Sequence, residues 1–283
     1  MNKEKYTLQQ IKQLQKENKI LLRQIDDLNK KLVESEAFKS HFLSNVTNEI
    51  INPLASVMGL SQQITELKEG KMKKAVDIAA LIYSEAASLD FQLRNIFVAA
   101  RLEAGEEKPE LMEIDLLRLV NEMVDKIRHE ADKKQITFRI KYEEGTGSFV
   151  SDREKLGLIL LNLLSNAVNF SHPGKVIDIS VARSNEKLVL KVEDQGIGMT
   201  KEEISRIFDR FHRANPMIQS LSPGSGLGLA VVEGLLFILN GKAEVDSVLN
   251  KGTTVRIFIP EENPEKIELD DDLFFDDKNE ESF

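Results

Sequence analysis

The chain has 283 residues, of which 41% are hydrophobic, and it contains no cysteine or tryptophan. This length allows one large domain or two modest ones with a buried core, so a chain that is disordered throughout is excluded. The absence of cysteine excludes disulfides, thiolate metal sites and cysteine nucleophiles. The net charge of −9 is confined to residues 261–283, which hold eleven acidic and two basic residues, so a generally basic nucleic-acid-binding surface is excluded as well.

Apolar runs in this chain are short. The longest, residues 156–164 and 235–239, are well below the roughly 18–20 residues that cross a bilayer. The first ten residues lack the apolar stretch of a signal peptide. We therefore expect a soluble, cytoplasmic chain with no membrane segment.

Residues 7–35 follow a heptad pattern. Isoleucine and leucine occupy the a and d positions apart from Asn18 at one a position, and charged or polar residues fill most of the others. A polar residue at an a position fixes a parallel dimer and its register. The narrow apolar seam favours a two-stranded coiled coil over residues 1–38, and a single amphipathic helix packed on its own domain is the alternative.

Two long helices are predicted between residues 39 and 105. Apolar residues at helical spacing run to residue 64, a turn is expected at Glu69–Gly70, and a second helix extends from about Met72 to Leu102. A hairpin of two helices leaves apolar faces exposed in a single copy. Two copies make a four-helix bundle, so we expect a homodimer.

From residue 110 to residue 262 the pattern alternates between helices and strands. Helices are predicted at Leu116–Lys133, Asp152–Phe170 and Leu227–Leu239. Strands are predicted near Glu113–Asp115, Ile136–Tyr142, Val176–Arg183, Lys187–Glu193, Lys242–Ser247 and Thr253–Ile259. Strands backed by helices predict a two-layer α/β sandwich. Residues 263–283 are too charged to fold alone and are expected to form an acidic, disordered tail.

Two segments of the predicted α/β domain, residues 110–262, carry residues suited to binding a nucleotide. Asn162 and Asn166 lie one helical turn apart, so their amides share a face, and an amide oxygen suits Mg²⁺. Two ordinary polar positions on an exposed stripe are the alternative. Asp194 follows a strand and precedes Gly196 and Gly198, and a buried carboxylate there can accept a hydrogen bond from the exocyclic amine of adenine. A plain Asp-Gly turn is the alternative here.

Two further segments carry residues suited to phosphate. One opens a predicted helix with the residues Gly224, Gly226, Leu227 and Gly228. Glycines with unpaired N–H groups at a helix start form an anion site. The other contains Arg210 and Arg213 and precedes a polar stretch, residues 214–223, that we expect to be a mobile lid. Either arginine can stabilise phosphate charge, and a solvated arginine pair is the alternative.

In this order, the four segments resemble the N, G1, F and G2 boxes of the sensor histidine kinases, within the wider gyrase, heat-shock-90 and MutL ATPase superfamily. The resemblance covers about residues 42–260. It implies a coiled coil and helical hairpin, which form a four-helix bundle as a dimer, followed by a two-layer α/β sandwich of the histidine kinase/Hsp90-like ATPase type. It also implies ATP and Mg²⁺ as ligands.

The resemblance assigns roles to individual residues. Asn166 corresponds to the Mg²⁺ ligand and Asp194 to the residue that reads adenine, while Asn162, the loop glycines and Leu227 lie around the nucleotide. Arg213, with Arg210 nearby, corresponds to a phosphate contact. Asn169 stands where the family usually has a lysine, so a phosphate-binding cation is missing there.

The hairpin contains a segment, residues 42–54, that is similar to the family's H box, whose phosphoacceptor histidine precedes a glutamate and lies five residues before a proline. This alignment puts Asn48 at the acceptor position. The lone pair of an amide nitrogen is delocalised, so Asn48 is not a nucleophile and autophosphorylation at position 48 is predicted to be absent. Glu49 and Asn52 resemble the family's motif that orients water for dephosphorylating a response regulator. Solvated bundle residues are the alternative.

The resemblance implies a two-component signal transduction protein that binds Mg-ATP and phosphorylates a histidine and then the receiver domain of a response regulator. An upstream sensor domain or sensor protein would supply the signal, and the chain would then be the cytoplasmic part of a larger sensor.

Three hypotheses stay open with Asn48 at the acceptor position. They are a kinase whose acceptor has been replaced, naturally or by engineering; a natural pseudokinase that acts as a response-regulator phosphatase or sequesters the regulator; and a non-enzymatic dimer scaffold.

Overall fold

The structure is a computed structural model that describes residues 22, 47 and 50–262, apart from residues 69, 144, 185 and 209–225. The chain divides into two units, Met1–Ile51 and Asn52–Phe283. In the first unit the described residues are all helical: Leu22, Thr47, Ile50 and Ile51. The predicted coiled coil, apart from Leu22, and the predicted acidic tail lie outside the described residues.

Two helices begin the second unit. Helix α1 covers residues 52–65 and helix α2 covers Met72–Ala104. Helix α2 ends at Gly105, whose left-handed backbone (φ 68°) turns the chain so that the N–H groups of residues 105 and 106 bond back to the last turn. Helix α1 ends within one residue of the predicted end at residue 64, and α2 begins at the predicted Met72 and ends two residues after the predicted Leu102. Within the described ranges no helix combines the length and apolarity needed to cross a membrane.

The remaining elements form the predicted α/β sandwich. Its helices are α3 (Leu116–Lys133), α4 (Arg153–Phe170), α5 (Lys201–Ile204) and α6 (Gly228–Ile238). Its strands are β1 (Met112–Asp115), β2 (Thr137–Tyr142), β3 (Ser148–Ser151), β4 (Val176–Ser184), β5 (Lys187–Glu193), β6 (Lys242–Val248) and β7 (Gly252–Pro260). The main sheet has the order β2-β4-β5-β7-β6, in which only the β2–β4 pair is parallel, and β1 pairs antiparallel with β3 in a separate ribbon. The sequence did not predict β3 or α5.

The core lies between the main sheet and the helices. Side chains of β4 and β5 alternate between buried and partly exposed, and the buried ones are Ile177, Ile179, Val181, Leu188, Leu190 and Val192. Helix α4 packs between α3 and α6 and buries leucines on most of its surface. The opposite face of the sheet carries charged pairs, such as Arg139 with Asp178. Burying one leucine contributes about 1.5–3 kcal/mol, so the buried leucines of α4 contribute strongly to the stability of the core.

Buried charges fix the linker between α2 and β1 to the start of α4. Asp152 is the N-cap of α4 and accepts from the backbone N–H groups of Lys155 (2.9 Å) and Glu110 (2.8 Å). The ammonium of Lys155 lies 2.7 Å from the Asp152 carboxylate and 3.3 Å from that of Glu107, which also pairs with Arg101. We call Asp152, Lys155 and Glu107 the linker cluster.

Candidate nucleotide-binding site

Three of the segments singled out in the sequence meet along the C-terminal half of α4. The Phe170 carbonyl at its end accepts from the N–H of Ile197, in the loop after β5, at 3.2 Å. About two turns earlier, Asn162 lies against Gly228 at the start of α6, where an added Cβ would be 2.6 Å from the Asn162 Oδ1. The loop after β5 and the start of α6 therefore flank the face of α4 on which the asparagines lie.

The two glycines after Asp194 allow close backbone packing. A Cβ at Gly196 would lie 2.0 Å from the Phe170 carbonyl oxygen. Gly198 has a positive φ of 62°, and a Cβ there would lie 2.0 Å from the Val248 carbonyl oxygen. These glycines let the loop after β5 fit between the end of α4 and the β6–β7 turn.

Asp194 is half-buried, and its two carboxylate oxygens differ. Oδ1 accepts from the backbone N–H groups of Gly196 (2.9 Å) and Thr253 (3.2 Å). Oδ2 makes no hydrogen bond to any residue that the structure describes. Burial raises the pKa of Asp194 to about 6, against the opposing effect of the two N–H groups. The geometry leaves one oxygen fixed and the other able to accept from an amine of a ligand.

The two asparagines of α4 have different surroundings. Asn162 is buried, and its Nδ2 donates to Asn95 Oδ1 at 2.8 Å and to the Leu158 carbonyl at 2.9 Å. Asn166 is half-buried, and within the described residues its amide has no hydrogen-bond partner. Asn162 is therefore held by protein groups, whereas the Asn166 amide oxygen bonds to none of the residues that the structure describes.

The free amide of Asn166 fits Mg²⁺. An amide oxygen is a hard, neutral ligand of the kind that Mg²⁺ accepts together with waters and phosphate oxygens. No three His, Cys, Asp or Glu side chains in the described ranges come together as a metal site. An ion at Asn166 would therefore depend on the phosphates of a bound nucleotide for most of its ligands.

The start of α6 has the features of a phosphate-binding turn. Gly226 has a positive φ of 70°, and Leu227 at the N-cap position is buried. The side chain of Leu227 makes no capping hydrogen bond, so among the residues that the structure describes no N-cap side chain satisfies the first-turn N–H groups of α6. An anion is the group that such a helix start attracts.

A lysine that the sequence analysis missed reaches the end of α4. Lys134 Nζ donates to the carbonyls of Val168 (2.9 Å) and Asn169 (2.6 Å), and burial lowers the pKa of Lys134. This ammonium caps the last turn of the helix. The Asn169 side chain donates to the Ser165 hydroxyl at 3.4 Å. No local sequence signal identified Lys134, because it lies 34 residues or more from the groups that it contacts.

The structure does not describe every predicted site residue. Those outside the described residues are Asn48, Glu49, Arg210, Arg213 and Gly224. Asn52 is described, and it is exposed on α1. The described part of the site thus consists of the residues of α4, the loop after β5 and the start of α6.

Known proteins resemble this chain over much of its length. The family model described as "Histidine kinase-, DNA gyrase B-, and HSP90-like ATPase" matches residues 151–263. The circadian input-output histidine kinase CikA of Synechococcus elongatus is 26% identical over 267 residues, covering 91% of this chain and 35% of CikA. The autoinducer 2 sensor kinase/phosphatase LuxQ of Vibrio cholerae is 31% identical over 240 residues, covering 82% of this chain and 27% of LuxQ.

The chain contains a sensor histidine kinase transmitter region with a GHKL-type (gyrase, Hsp90, histidine kinase, MutL) ATP-binding domain. The transmitter region belongs to two-component signal transduction. The chain spans about a third of the length of CikA and about a quarter of that of LuxQ. Full-length ShkA, solved in complex with AMPPNP, shares the fold of the transmitter region, with a TM-score of 0.56 and 23% identity over 78% of this chain and 46% of that one.

Proposed function

We propose that this chain is a dimeric histidine-kinase transmitter that binds Mg-ATP and lacks the phosphoacceptor of its own hairpin. The observation that carries the ATP part is the geometry of Asp194, which has one oxygen fixed by two N–H groups and one that bonds to no described residue. The free amide of Asn166 supports the same assignment. The division into a coiled coil (1–38), a dimerisation hairpin (39–105), an ATP-binding domain (110–262) and an acidic tail (263–283) is part of the proposal.

The proposed mechanism gives each group of the site one task. The free Asp194 oxygen accepts a hydrogen bond from the exocyclic amine of adenine, which selects ATP. Asn166 would hold Mg²⁺, which neutralises phosphate charge when bound. The N–H groups that begin at Gly228 bind phosphate oxygens, and Arg210 and Arg213 stabilise their charge. These contacts position the γ-phosphate for in-line transfer, mainly by geometry and electrostatics.

Transfer from this site requires a nucleophile on the hairpin. The family's acceptor would stand at position 48 and pass the phosphoryl group to an aspartate on a response regulator. Asn48 has no free nitrogen lone pair, so autophosphorylation there is blocked. The replacement of the acceptor histidine by Asn48 is natural or engineered. An upstream sensor domain or sensor protein would supply the signal.

Nucleotide binding by the full chain tests the ATP part of this proposal. Calorimetric titration with Mg-AMPPNP should show binding by the wild-type chain, and Asp194→Ala should weaken it at least about tenfold because the adenine amine loses its acceptor. Asp178→Ala is the matched control, since Asp178 pairs with Arg139 on the outer face of the sheet. Absence of wild-type binding at millimolar nucleotide, or equal binding by Asp194→Ala, would contradict the proposal.

A phosphatase or sequestering pseudokinase is the second candidate. Glu49 and Asn52 keep the spacing of a water-orienting pair although the histidine is missing, and Asn52 is exposed on α1. The relative LuxQ is named as a sensor kinase/phosphatase.

If the chain is a phosphatase, it should accelerate loss of phosphate from a chemically phosphorylated receiver domain. Asn52→Ala should abolish the acceleration, and Gln62→Ala, another exposed amide on α1, should preserve it. No acceleration by the wild-type chain would rule out the phosphatase.

A further inference from the structure

A buried pair of amides joins the hairpin helix α2 to the candidate nucleotide site. Asn95 of α2 and Asn162 of α4 are 5% and 3% exposed. Asn95 Oδ1 accepts from Asn162 Nδ2 at 2.8 Å across 67 residues of sequence. Each amide makes its other hydrogen bond within its own helix, from Asn95 Nδ2 to the Phe91 carbonyl and from Asn162 Nδ2 to the Leu158 carbonyl. The pair is therefore the polar connection between the two helices at this point.

Asn162 also fixes the start of α6. A Cβ at residue 228 would lie 2.6 Å from the Asn162 Oδ1, so the Asn162 amide would have to move to admit a side chain there. Rotating the Asn162 amide by half a turn would direct Nδ2 at Gly228 and withdraw the donor from Asn95. The hydrogen bond from Asn162 to Asn95 thus determines which atom of Asn162 faces the phosphate-binding turn.

Helix α2 contacts the ATP-binding domain along one face. Ser84, Asn95 and Leu102 are separated by 11 and 7 residues, spacings that return to nearly the same side of an α-helix. Ser84 donates to Glu130 of α3 at 3.0 Å, and Leu102 packs against Gly234 of α6. A shift of α2 would therefore be transmitted to the domain at several points, of which Asn95 is the one next to the nucleotide site.

We propose that Asn95 is a positioning residue that couples helix α2 to nucleotide binding through Asn162. This inference rests on the proposed ATP binding. Asn95 holds the Asn162 amide in the orientation that places Gly228, and Asn166 follows one turn later on the same face of α4. Because coupling between sites is reciprocal, nucleotide binding in turn stabilises the contact between α2 and α4.

Two substitutions at residue 95 test whether the oxygen acceptor that Asn95 offers to Asn162 supports nucleotide binding. Asn95→Ala removes the acceptor for Asn162 and should weaken Mg-AMPPNP binding to the full chain about fivefold. Asn95→Asp keeps an oxygen acceptor in place, so its affinity for Mg-AMPPNP should be within about twofold of that of wild type. Because it also buries a charge, it should unfold at a lower urea concentration than Asn95→Ala. Arg94→Ala, at the exposed neighbouring position, is the control and should bind as wild type.

The outcomes distinguish this inference from the proposed function. Equal affinity of Asn95→Ala and wild type overturns the inference and leaves ATP binding intact, whereas absence of wild-type binding overturns both. An Asn95→Asp affinity as low as that of Asn95→Ala shows that an oxygen acceptor at residue 95 does not support nucleotide binding and also overturns the inference. Should Asn95→Ala fail to fold, amide hydrogen exchange on the wild-type chain decides. Nucleotide should slow exchange in residues 91–102 but not in residues 72–80, and no difference between them overturns the inference.

Discussion

Asp194 combines a charge, partial burial and two backbone donors, and these have opposite effects on its protonation. Burial disfavours the carboxylate, whereas the N–H groups of Gly196 and Thr253 favour it. Burial dominates, so the pKa rises from 3.8 to about 6. The side chain remains mostly ionised at neutral pH, as an acceptor for the adenine amine requires, and it becomes protonated under mildly acidic conditions.

The raised pKa of Asp194 predicts a specific dependence of stability on pH. The folded chain holds a proton on Asp194 at pH values where the unfolded chain has released it, so the stabilisation is complete below about pH 4 and is lost as the pH rises through about 6. Asp194→Asn removes this titration. Between pH 4 and pH 7 the free energy of unfolding should therefore fall by about 2 kcal/mol more in wild type than in the variant, measured by urea denaturation at both pH values.

Asp178 provides a control of opposite sign. Its hydrogen bonds to Arg139 lower the pKa of its carboxyl group, so its contribution to stability is present above the unfolded pKa and is lost as the pH falls. The free energy of unfolding of wild type, measured relative to that of Asp178→Asn, should therefore increase as the pH rises. An Asp194→Asn variant with the same pH dependence as wild type would contradict a raised pKa at Asp194.

The sequence predicted the longer elements better than the short ones. Helix α3 and strand β5 begin and end where their periodicity indicated, because each has enough turns or alternations to define one face. Strand β3 has four residues, too few for an alternation to be recognised. Helix α5 is also four residues long, although its capping box of Thr200 and Glu203 was a usable sequence signal.

The residues of the candidate site likewise fall into two groups, those that the sequence predicted and those that it did not. Asp194, Asn166 and the glycines belong to local motifs, so the sequence predicted them. Asn95 and Lys134 act through partners that are distant in the chain, and their own surroundings in the sequence contain no indication of those partners. Contacts of this kind depend on how the helices pack, which one sequence without its fold does not specify.

The linker cluster predicts an unequal response to charge removal. Burial alone would lower the pKa of Lys155, but the carboxylates of Asp152 and Glu107 raise it above its ordinary value. Lys155→Met leaves these two buried carboxylates without the ammonium and should lower the free energy of unfolding by about 3 kcal/mol or more in urea denaturation. Arg94→Met breaks an exposed pair with Asp90 and should cost no more than about 0.5 kcal/mol. Equal stability of the two variants would argue against a structural role for the cluster.

For the whole molecule, the proposed function combines an ATP-binding domain that still binds nucleotide with an acceptor position that lacks a nucleophile. The contacts of α2 with α3, α4 and α6, and the linker cluster at the end of α2, join the hairpin helix to the domain that would bind ATP. Such an arrangement suits a protein in which nucleotide state and hairpin conformation influence each other. The function of the intact chain then depends on whether position 48 alone stops phosphoryl transfer.

The most direct test is labelling with γ-³²P ATP and Mg²⁺, in which the chain as it stands is compared with its Asn48→His variant. We expect acid-labile label in the variant and none in the wild-type chain, because histidine restores the nucleophile while the ATP-binding domain is unchanged. Label on the wild-type chain equal to that of the variant, or no label on either chain when both are folded dimers, would contradict this expectation.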